Sequence, residues 1–173
     1  MQRLYEHHKV LTYPRTDSRY IGSDIVPTIK ERLKACNIGP YKAYIPALLK
    51  APICTSKAFV DDKKVSDHHA IIPTEQFVDL QTMTNEERKV YDLVVRRFLA
   101  VLLPAFEYDQ TVFTGGLAGE SFTAKGKIVK SQGWKEAYEN LETDEEWEEA
   151  DENVMELQKN LEAYSKIPAY DWY

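Results

Sequence analysis

The chain has 173 residues and a formal net charge of −6, a length that suits one domain or one and a half with a moderate core. No apolar run approaches the ~20 residues that cross a bilayer, and no secretory pattern opens the chain, so we expect a cytoplasmic protein without a membrane partner. Two cysteines, Cys36 and Cys54, have no metal spacing and are interpreted as reduced thiols.

The charge is unevenly divided along the chain. Residues 1–130 carry 19 Lys and Arg against 15 Asp and Glu, whereas residues 131–173 carry 3 against 13. The first part can face nucleic acid, because attraction to phosphate scales with basic contacts. The acidic end would repel it.

Three helices are predicted before the middle of the chain. Residues 1–10 are typical of the last turns of a helix, with His7 and His8 solvated near its carboxyl end. The second helix has Ser23 and Asp24 as cap candidates and an apolar stripe of Ile25, Ile29, Leu33 and Cys36. Residues 41–50 form a shorter candidate, weakened by Pro46, and residues 59–67 a polar loop.

The strongest helical pattern covers Thr84–Leu103, where Thr84 and Glu87 form a capping box ahead of an apolar stripe. Its other faces carry four basic residues, which we expect to be exposed to solvent rather than to contact DNA: Arg88, Lys89, Arg96 and Arg97.

From Phe106 the apolar period changes to two, which predicts an antiparallel hairpin. Its turn is assigned to Gly115, Gly116 and Gly119, and its second strand to residues 121–129. Residues 136–163 are acidic and predicted to be helical. The expected fold class is α+β, divided into a mainly helical domain (1–104), a hairpin arm (105–134) and an acidic segment (135–173).

The candidate site begins at Tyr13-Pro14-Arg15. Proline restricts the residue before it to extended geometry, so Tyr13 and Arg15 are expected to point to the same side. Arginine matches phosphate oxygens, whereas a phenol, with an ordinary pKa of about 10, needs a cationic neighbour to become a nucleophile. Turn-forming residues follow at once, Thr16, Asp17 and Ser18, which suit anion binding. The plain alternative is an exposed basic loop.

Two segments together carry a family resemblance: residues 10–22, VLTYPRTDSRYIG, and residues 65–74, VSDHHAIIPT. In this order they resemble the tyrosine and histidine segments of type IA DNA topoisomerases, most closely those of the bacterial topoisomerase III kind. The resemblance implies catalytic roles for Tyr13, Arg15 and His68. It also implies that the DNA-contacting residues are Thr16, Asp17, Ser18, Arg19 and His69, and that the hairpin belongs to an arch.

The resemblance further implies strand cleavage through a 5′-phosphotyrosine, without a nucleotide cofactor. Members of the family hold Mg²⁺ in an acidic domain that these residues lack, so we expect no metal ligands here, Mg²⁺ in the rest of a longer parent chain, and no relaxation by this part alone. The expected partners are single-stranded DNA and the remainder of the parent topoisomerase, at the bacterial nucleoid.

Three rival functions stay open. A non-enzymatic DNA-binding or interaction module would not need Tyr13. A tyrosine recombinase should carry arginines and a histidine ahead of a tyrosine near its carboxyl end, and here Tyr13 comes first. A metal hydrolase would use the two histidine pairs, yet adjacent histidines point apart on a strand and do not share a helix face.

Overall fold

The computed structural model describes residues 1–117 and 119–138. They form an α+β structure, as the sequence predicts, and they divide into two units. The first unit contains residues 1–104 and 134–138, and the described part of the second is residues 105–117 and 119–133. The helix predicted for residues 136–163 lies outside the described residues, apart from a 3-10 turn at Gly133–Tyr138.

Four α-helices lie in the described part of the first unit: α1 (Gln2–Glu6), α2 (Ile29–Ala35), α3 (Ile45–Lys50) and α4 (Asn85–Ala100). The prediction that Ser23 or Asp24 caps the second helix is wrong. The backbone enters α2 through a 3-10 turn at Val26–Thr28, and Ser23 instead donates two hydrogen bonds to the Asp62 carboxylate. In α3, Pro46 lies in the first turn, where a missing N–H costs nothing.

The predicted capping box begins α4. The Thr84 hydroxyl accepts from the Glu87 N–H, and the Glu87 carboxylate accepts from the Thr84 N–H. The helix ends at Ala100, three residues before the predicted end. The expectation of a solvated Arg96 is wrong, because this side chain donates to Asp92 at 2.7 Å and to the Ala137 carbonyl at 2.8 Å.

One hydrophobic core joins these helices. The side chains of Leu4, Ile29, Leu33, Ile45 and Tyr91 are wholly buried in it. Cys36 is buried among them, 3.3 Å from the Tyr91 hydroxyl, while Cys54 is exposed, and both thiols are free. Burial raises the pKa of the Cys36 thiol to about 11. None of the described helices is long and apolar enough to span a bilayer.

The expectation that His8 is solvated is also wrong. Its side chain is 8% exposed and lies 3.5 Å from the Glu87 carboxylate, whose other oxygen binds Arg3 at 2.8 Å. The partner is 79 positions away in the chain, which the local sequence pattern cannot reveal. His7 is exposed, as predicted.

The second unit is an antiparallel hairpin of β1 (Glu107–Leu117) and β2 (Glu120–Ser131). The turn prediction is partly wrong. Gly115 and Gly116 lie inside the ladder, opposite Phe122 and Ser121, and only Gly119 lies in the connection, with φ at 86°. Since glycine adopts that left-handed conformation without steric cost, it is the residue that the turn needs.

Candidate active site

The tyrosine segment lies antiparallel to the histidine segment. The Thr12 N–H donates to the Ile72 carbonyl at 3.0 Å, and the Thr74 N–H donates to the Val10 carbonyl at 3.0 Å. Around this pairing, Leu11 and Pro73 form an isolated bridge. Backbone pairing therefore aligns two segments that are about 60 residues apart in the chain.

Side-chain hydroxyls continue the pairing where regular backbone bonds stop. Thr12 Oγ1 donates to the Ala70 carbonyl at 3.3 Å and accepts from the Ile72 N–H at 2.9 Å. Thr16 Oγ1 donates to the His68 carbonyl at 3.0 Å, and Ser18 Oγ lies 3.0 Å from the Lys64 carbonyl. The hydroxyls of Thr16 and Ser18, predicted as contacts for an anion, are thus engaged within the protein.

The rings of Tyr13 and His68 lie against each other. Their centroids are 4.3 Å apart with an interplanar angle of 39°, and Tyr5 of α1 contacts Tyr13 edge-on from 5.4 Å. Tyr13 is half-buried and His68 is exposed. The phenol is therefore held between two rings without being enclosed in the core.

Arg15 is exposed and lines a cleft of about 390 Å³ that His68 also lines. Tyr13 and Arg15, which were predicted to point to the same side, line different clefts: Tyr13 lines one with Tyr5 and Lys9, and the backbone bends at Pro14 between them. His68 is the residue that connects them: its ring contacts Tyr13 and it shares the cleft of Arg15. Beyond the bend the chain alternates, with Arg15, Asp17 and Arg19 exposed.

His69 points to a different environment from its neighbour. It is half-buried, and its Nδ1 lies 2.7 Å from the Ala70 carbonyl. Because a carbonyl oxygen only accepts hydrogen bonds, Nδ1 is assigned as the donor, which leaves Nε2 as the other polar atom of the ring.

A basic surface adjoins the cleft of Arg15, and its two lysines were not among the predicted site residues. Arg19, Lys63 and Lys64 line one further cleft, which shares Asp17 with the cleft of Arg15. Lys64 Nζ lies 3.3 Å from the Tyr20 hydroxyl and 4.6 Å from its ring centroid, and the hydroxyl contact raises the pKa of Lys64. The sequence signal for this surface is the pair of adjacent lysines, which was interpreted as part of a polar loop.

Arg32 is a second residue that sequence reasoning missed. This α2 side chain is only 7% exposed and reaches the end of the histidine segment, where Nη1 donates to the Pro73 carbonyl at 2.8 Å and Nη2 meets Glu75 at 2.8 Å. Burial lowers the pKa of the guanidinium, and Glu75 opposes that shift. Arg32 thereby fixes the backbone that carries His68 from the side of the core.

The described residues do not fit a divalent cation. No group of three or more His, Cys, Asp and Glu side chains close enough to hold one occurs in residues 1–117 and 119–138. Asp17 and Asp67 do line a cleft, but they share it with the Arg15 guanidinium and with His68.

Comparison with known proteins identifies the family of this chain. Residues 1–168 match a family model described as DNA topoisomerase. The chain is 58% identical over 156 residues to DNA topoisomerase 3 of Bacillus cereus (strain ZK / E33L) and 53% identical over 160 residues to that of Bacillus subtilis (strain 168). These matches cover 90% and 92% of this chain, and 21% and 22% of the relatives.

The ring of Tyr13 contacts His68, which lines the same cleft as Arg15. With the match over residues 1–168, the chain belongs to the type IA DNA topoisomerase family, in its bacterial topoisomerase III-like branch. It spans about a fifth of the length of the curated relatives it matches.

Proposed function

We propose that this chain supplies the nucleophile with which a type IA topoisomerase cleaves and rejoins one DNA strand. The Tyr13 phenol oxygen attacks a backbone phosphorus, the bond from phosphorus to the 3′ oxygen breaks, and the phenol loses its proton while the 3′ oxygen gains one. The product is a 5′-phosphotyrosine and a free 3′ hydroxyl, and the reverse attack reseals the strand. Because the phosphodiester energy is kept in the new ester, no nucleotide is consumed. The observation that carries this proposal is the 4.3 Å contact between Tyr13 and His68.

Arg15 and His68 would have different roles in this reaction. A guanidinium keeps its charge at working pH, so Arg15 would stabilise the charge that develops on the transferring phosphate. An imidazole ring has one nitrogen that can accept a proton and one that can donate, which suits His68 to receive the phenol proton or to donate to a phosphate oxygen. Their shared cleft supports this division, because both would reach a phosphate bound there.

A single strand would follow the cleft of Arg15 and the adjoining basic surface. Arg15 and Arg19 alternate on the exposed side of the tyrosine segment, and Lys63 and Lys64 line the adjoining cleft. Asp17 is exposed between the arginines and His69 offers Nε2, so these two would contact sugar or base edges. Thr16 and Ser18 would act through the backbone they hold in place.

The activity belongs to a larger protein, since the relatives are almost five times as long as their match to this chain. Mg²⁺ would be bound by residues of that larger protein. We therefore expect no relaxation of supercoiled DNA by this chain alone. A DNA substrate in a bacterial cell implies the cytoplasm, at the nucleoid.

The test is transfer of a radiolabel from DNA to protein. The chain is mixed with the remaining part of a parent topoisomerase, Mg²⁺ and a single strand labelled at its 3′ end, and the reaction is stopped with detergent. A 5′-phosphotyrosine keeps the 3′-labelled piece on this chain, so the chain becomes labelled. Tyr13→Phe abolishes transfer, and Arg15→Gln and His68→Gln reduce it.

Tyr44→Phe is the matched control, because Tyr44 only donates to the Glu136 carbonyl and should retain transfer. Labelling that survives Tyr13→Phe would refute the assigned nucleophile. Strand binding without any covalent product in the reconstituted mixture would favour a DNA-binding module instead. Relaxation by the chain alone, blocked by Tyr13→Phe, would refute the need for the remaining part.

A further inference from the structure

A separate cavity of about 390 Å³ lies beside the two site segments in the first unit. Its walls come from the tyrosine segment, the histidine segment, the loop around Phe59 and the end of α4. Neither Tyr13, Arg15 nor His68 lines it. Its volume falls in the range of small-molecule sites, about 300–1,000 Å³.

The interior of this cavity is apolar. Four of its lining side chains are at most 9% exposed, namely Ile21, Phe59, Ile72 and Phe98. Two of the four are aromatic, so the cavity can take a flat ring by apolar and ring contacts. The hydroxyls of Thr16 and Ser18 line it too, but they already bond within the protein.

The rim of the cavity is cationic. Arg19 and Arg97 both line it, both are exposed, and neither forms an ion pair with any residue that the structure describes. Ser56 adds a hydroxyl that accepts from the Ala58 N–H, so its own proton remains to be donated. Two guanidiniums and a hydroxyl beside an apolar interior match one anionic group joined to a ring.

We propose that this cavity binds a flat aromatic ring carrying a single anionic group, which is the chemistry of a nucleotide. The ring lies among Ile21, Phe59 and Phe98, and the phosphate meets Arg19 and Arg97 at the rim. The nucleotide is either free or one residue of a single strand, and the second source rests on the proposed function. Since both site segments form walls of the cavity, the bound ring also reinforces their pairing.

The test uses thymidine 5′-monophosphate, thymidine and an eight-residue oligothymidylate as probes. Methyl resonances of Ile21, Ile72 and Val101 report the cavity, and those of Ile29 and Ile45 report the distant core. The monophosphate is expected to shift the cavity methyls saturably and to leave the core methyls in place. Thymidine, which lacks the anion, binds roughly tenfold more weakly, since a hydrogen bond to a charged group contributes about that factor.

Two variant pairs locate the binding. Ala58→Phe fills the cavity from its exposed rim and abolishes the shifts, whereas Ala51→Phe, exposed and outside the cavity, retains them. Arg97→Gln weakens the monophosphate roughly tenfold by the same reasoning. Lys89→Gln, at an exposed position of the same helix, does not weaken it.

The outcomes separate this proposal from the proposed function. Absence of cavity shifts at millimolar monophosphate, or shifts that survive Ala58→Phe, would overturn the cavity site even if label transfer to Tyr13 succeeds. Monophosphate binding that Ala58→Phe abolishes supports it even if label transfer fails. If the oligothymidylate shifts the same methyls and competes with the monophosphate, the strand is a source of the ligand. If it does neither, the site takes the free nucleotide.

Discussion

Two regions of this protein pair extended chain with extended chain, and they do so by different means. In the hairpin, backbone pairing runs from Glu107 opposite Ser131 to Leu117 opposite Glu120. At the site, a single bridge between Leu11 and Pro73 is supplemented by threonine and serine hydroxyls and by a buried arginine. The hairpin is held together by hydrogen bonds between backbone N–H and C=O groups, whereas the geometry of the site depends on particular side chains. Substitutions should therefore be tolerated in one region and costly in the other.

The largest effect is expected at Arg32. Arg32→Met removes the donors to the Pro73 carbonyl, Thr28 and Glu75 and leaves a buried carbonyl unsatisfied, so we expect a loss of about 3 kcal/mol in the free energy of unfolding. Urea denaturation measures it. Lys34→Met on the same helix removes only an exposed pair with Glu31 and should change stability by less than about 0.5 kcal/mol. Equal losses in both variants would contradict the assigned role of Arg32.

A matched pair of threonines compares the two regions directly. Thr12→Val leaves the Ile72 N–H and the Ala70 carbonyl without their partner and should cost about 2 kcal/mol. Thr111→Val, at an exposed position of β1, keeps every backbone bond and should be near neutral, within about 0.5 kcal/mol. Both values come from chemical denaturation, and a Thr111→Val loss as large as that of Thr12→Val would remove the distinction.

Within the hairpin, two glycines should respond in opposite directions. Gly119→Ala forces a side chain into the left-handed region at φ 86° and should cost about 1 kcal/mol, although nothing lies within 4 Å of the added carbon. Gly126→Ala also meets open space but lies in the β2 ladder, so it should stabilise the hairpin by about 0.5 kcal/mol. Backbone amide exchange along β1 reports both, and protection that falls in both variants would be inconsistent with this account.

The smallest expected effect is confined to acid. The Thr84 N–H, followed by Arg3 and His8, lowers the pKa of Glu87 below its ordinary value of 4.5. The unfolded chain therefore binds the proton first, and the stability that the carboxylate contributes above pH 4.5 is lost as pH falls through the lowered folded pKa. Glu87→Gln should flatten the decline of the thermal midpoint below pH 4.5, whereas Glu86→Gln, an exposed neighbour, should retain it. An unchanged acid slope in Glu87→Gln would contradict this assignment.

The local elements were predictable because their signals are local. The capping box of α4 and the two-residue period of the hairpin involve residues within a few positions, and both appear in the structure. The hairpin turn was misassigned because the sequence does not distinguish a glycine inside a strand from a glycine in a turn. Only pairing distinguishes Gly115 from Gly119.

The site was predictable only in part. The tyrosine and histidine segments were recognised by family resemblance, and their adjacency rests on hydrogen bonds such as Thr12 to Ala70 that periodicity cannot reveal. The same limit explains the misassigned His8 and the overlooked Arg32, because Glu87 lies 79 positions from His8 and Pro73 lies 41 positions from Arg32. It applies to Arg96 in part, since one acceptor, the Ala137 carbonyl, is 41 positions away and the other, Asp92, is four. Local patterns specify elements, while partners distant in the chain decide which polar side chains become buried.

The two cysteines give this protein an internal reporter of unfolding. Only thiolates react with alkylating reagents, and Cys36 is both buried and held in the thiol form by its raised pKa of about 11. The exposed Cys54 should therefore be modified first, in the native state. Once Cys54 is blocked, any further incorporation counts molecules whose core has opened around α2. The rate of that incorporation, followed by mass spectrometry, then compares how readily the core opens in the variants of the first unit, without a fluorescent probe.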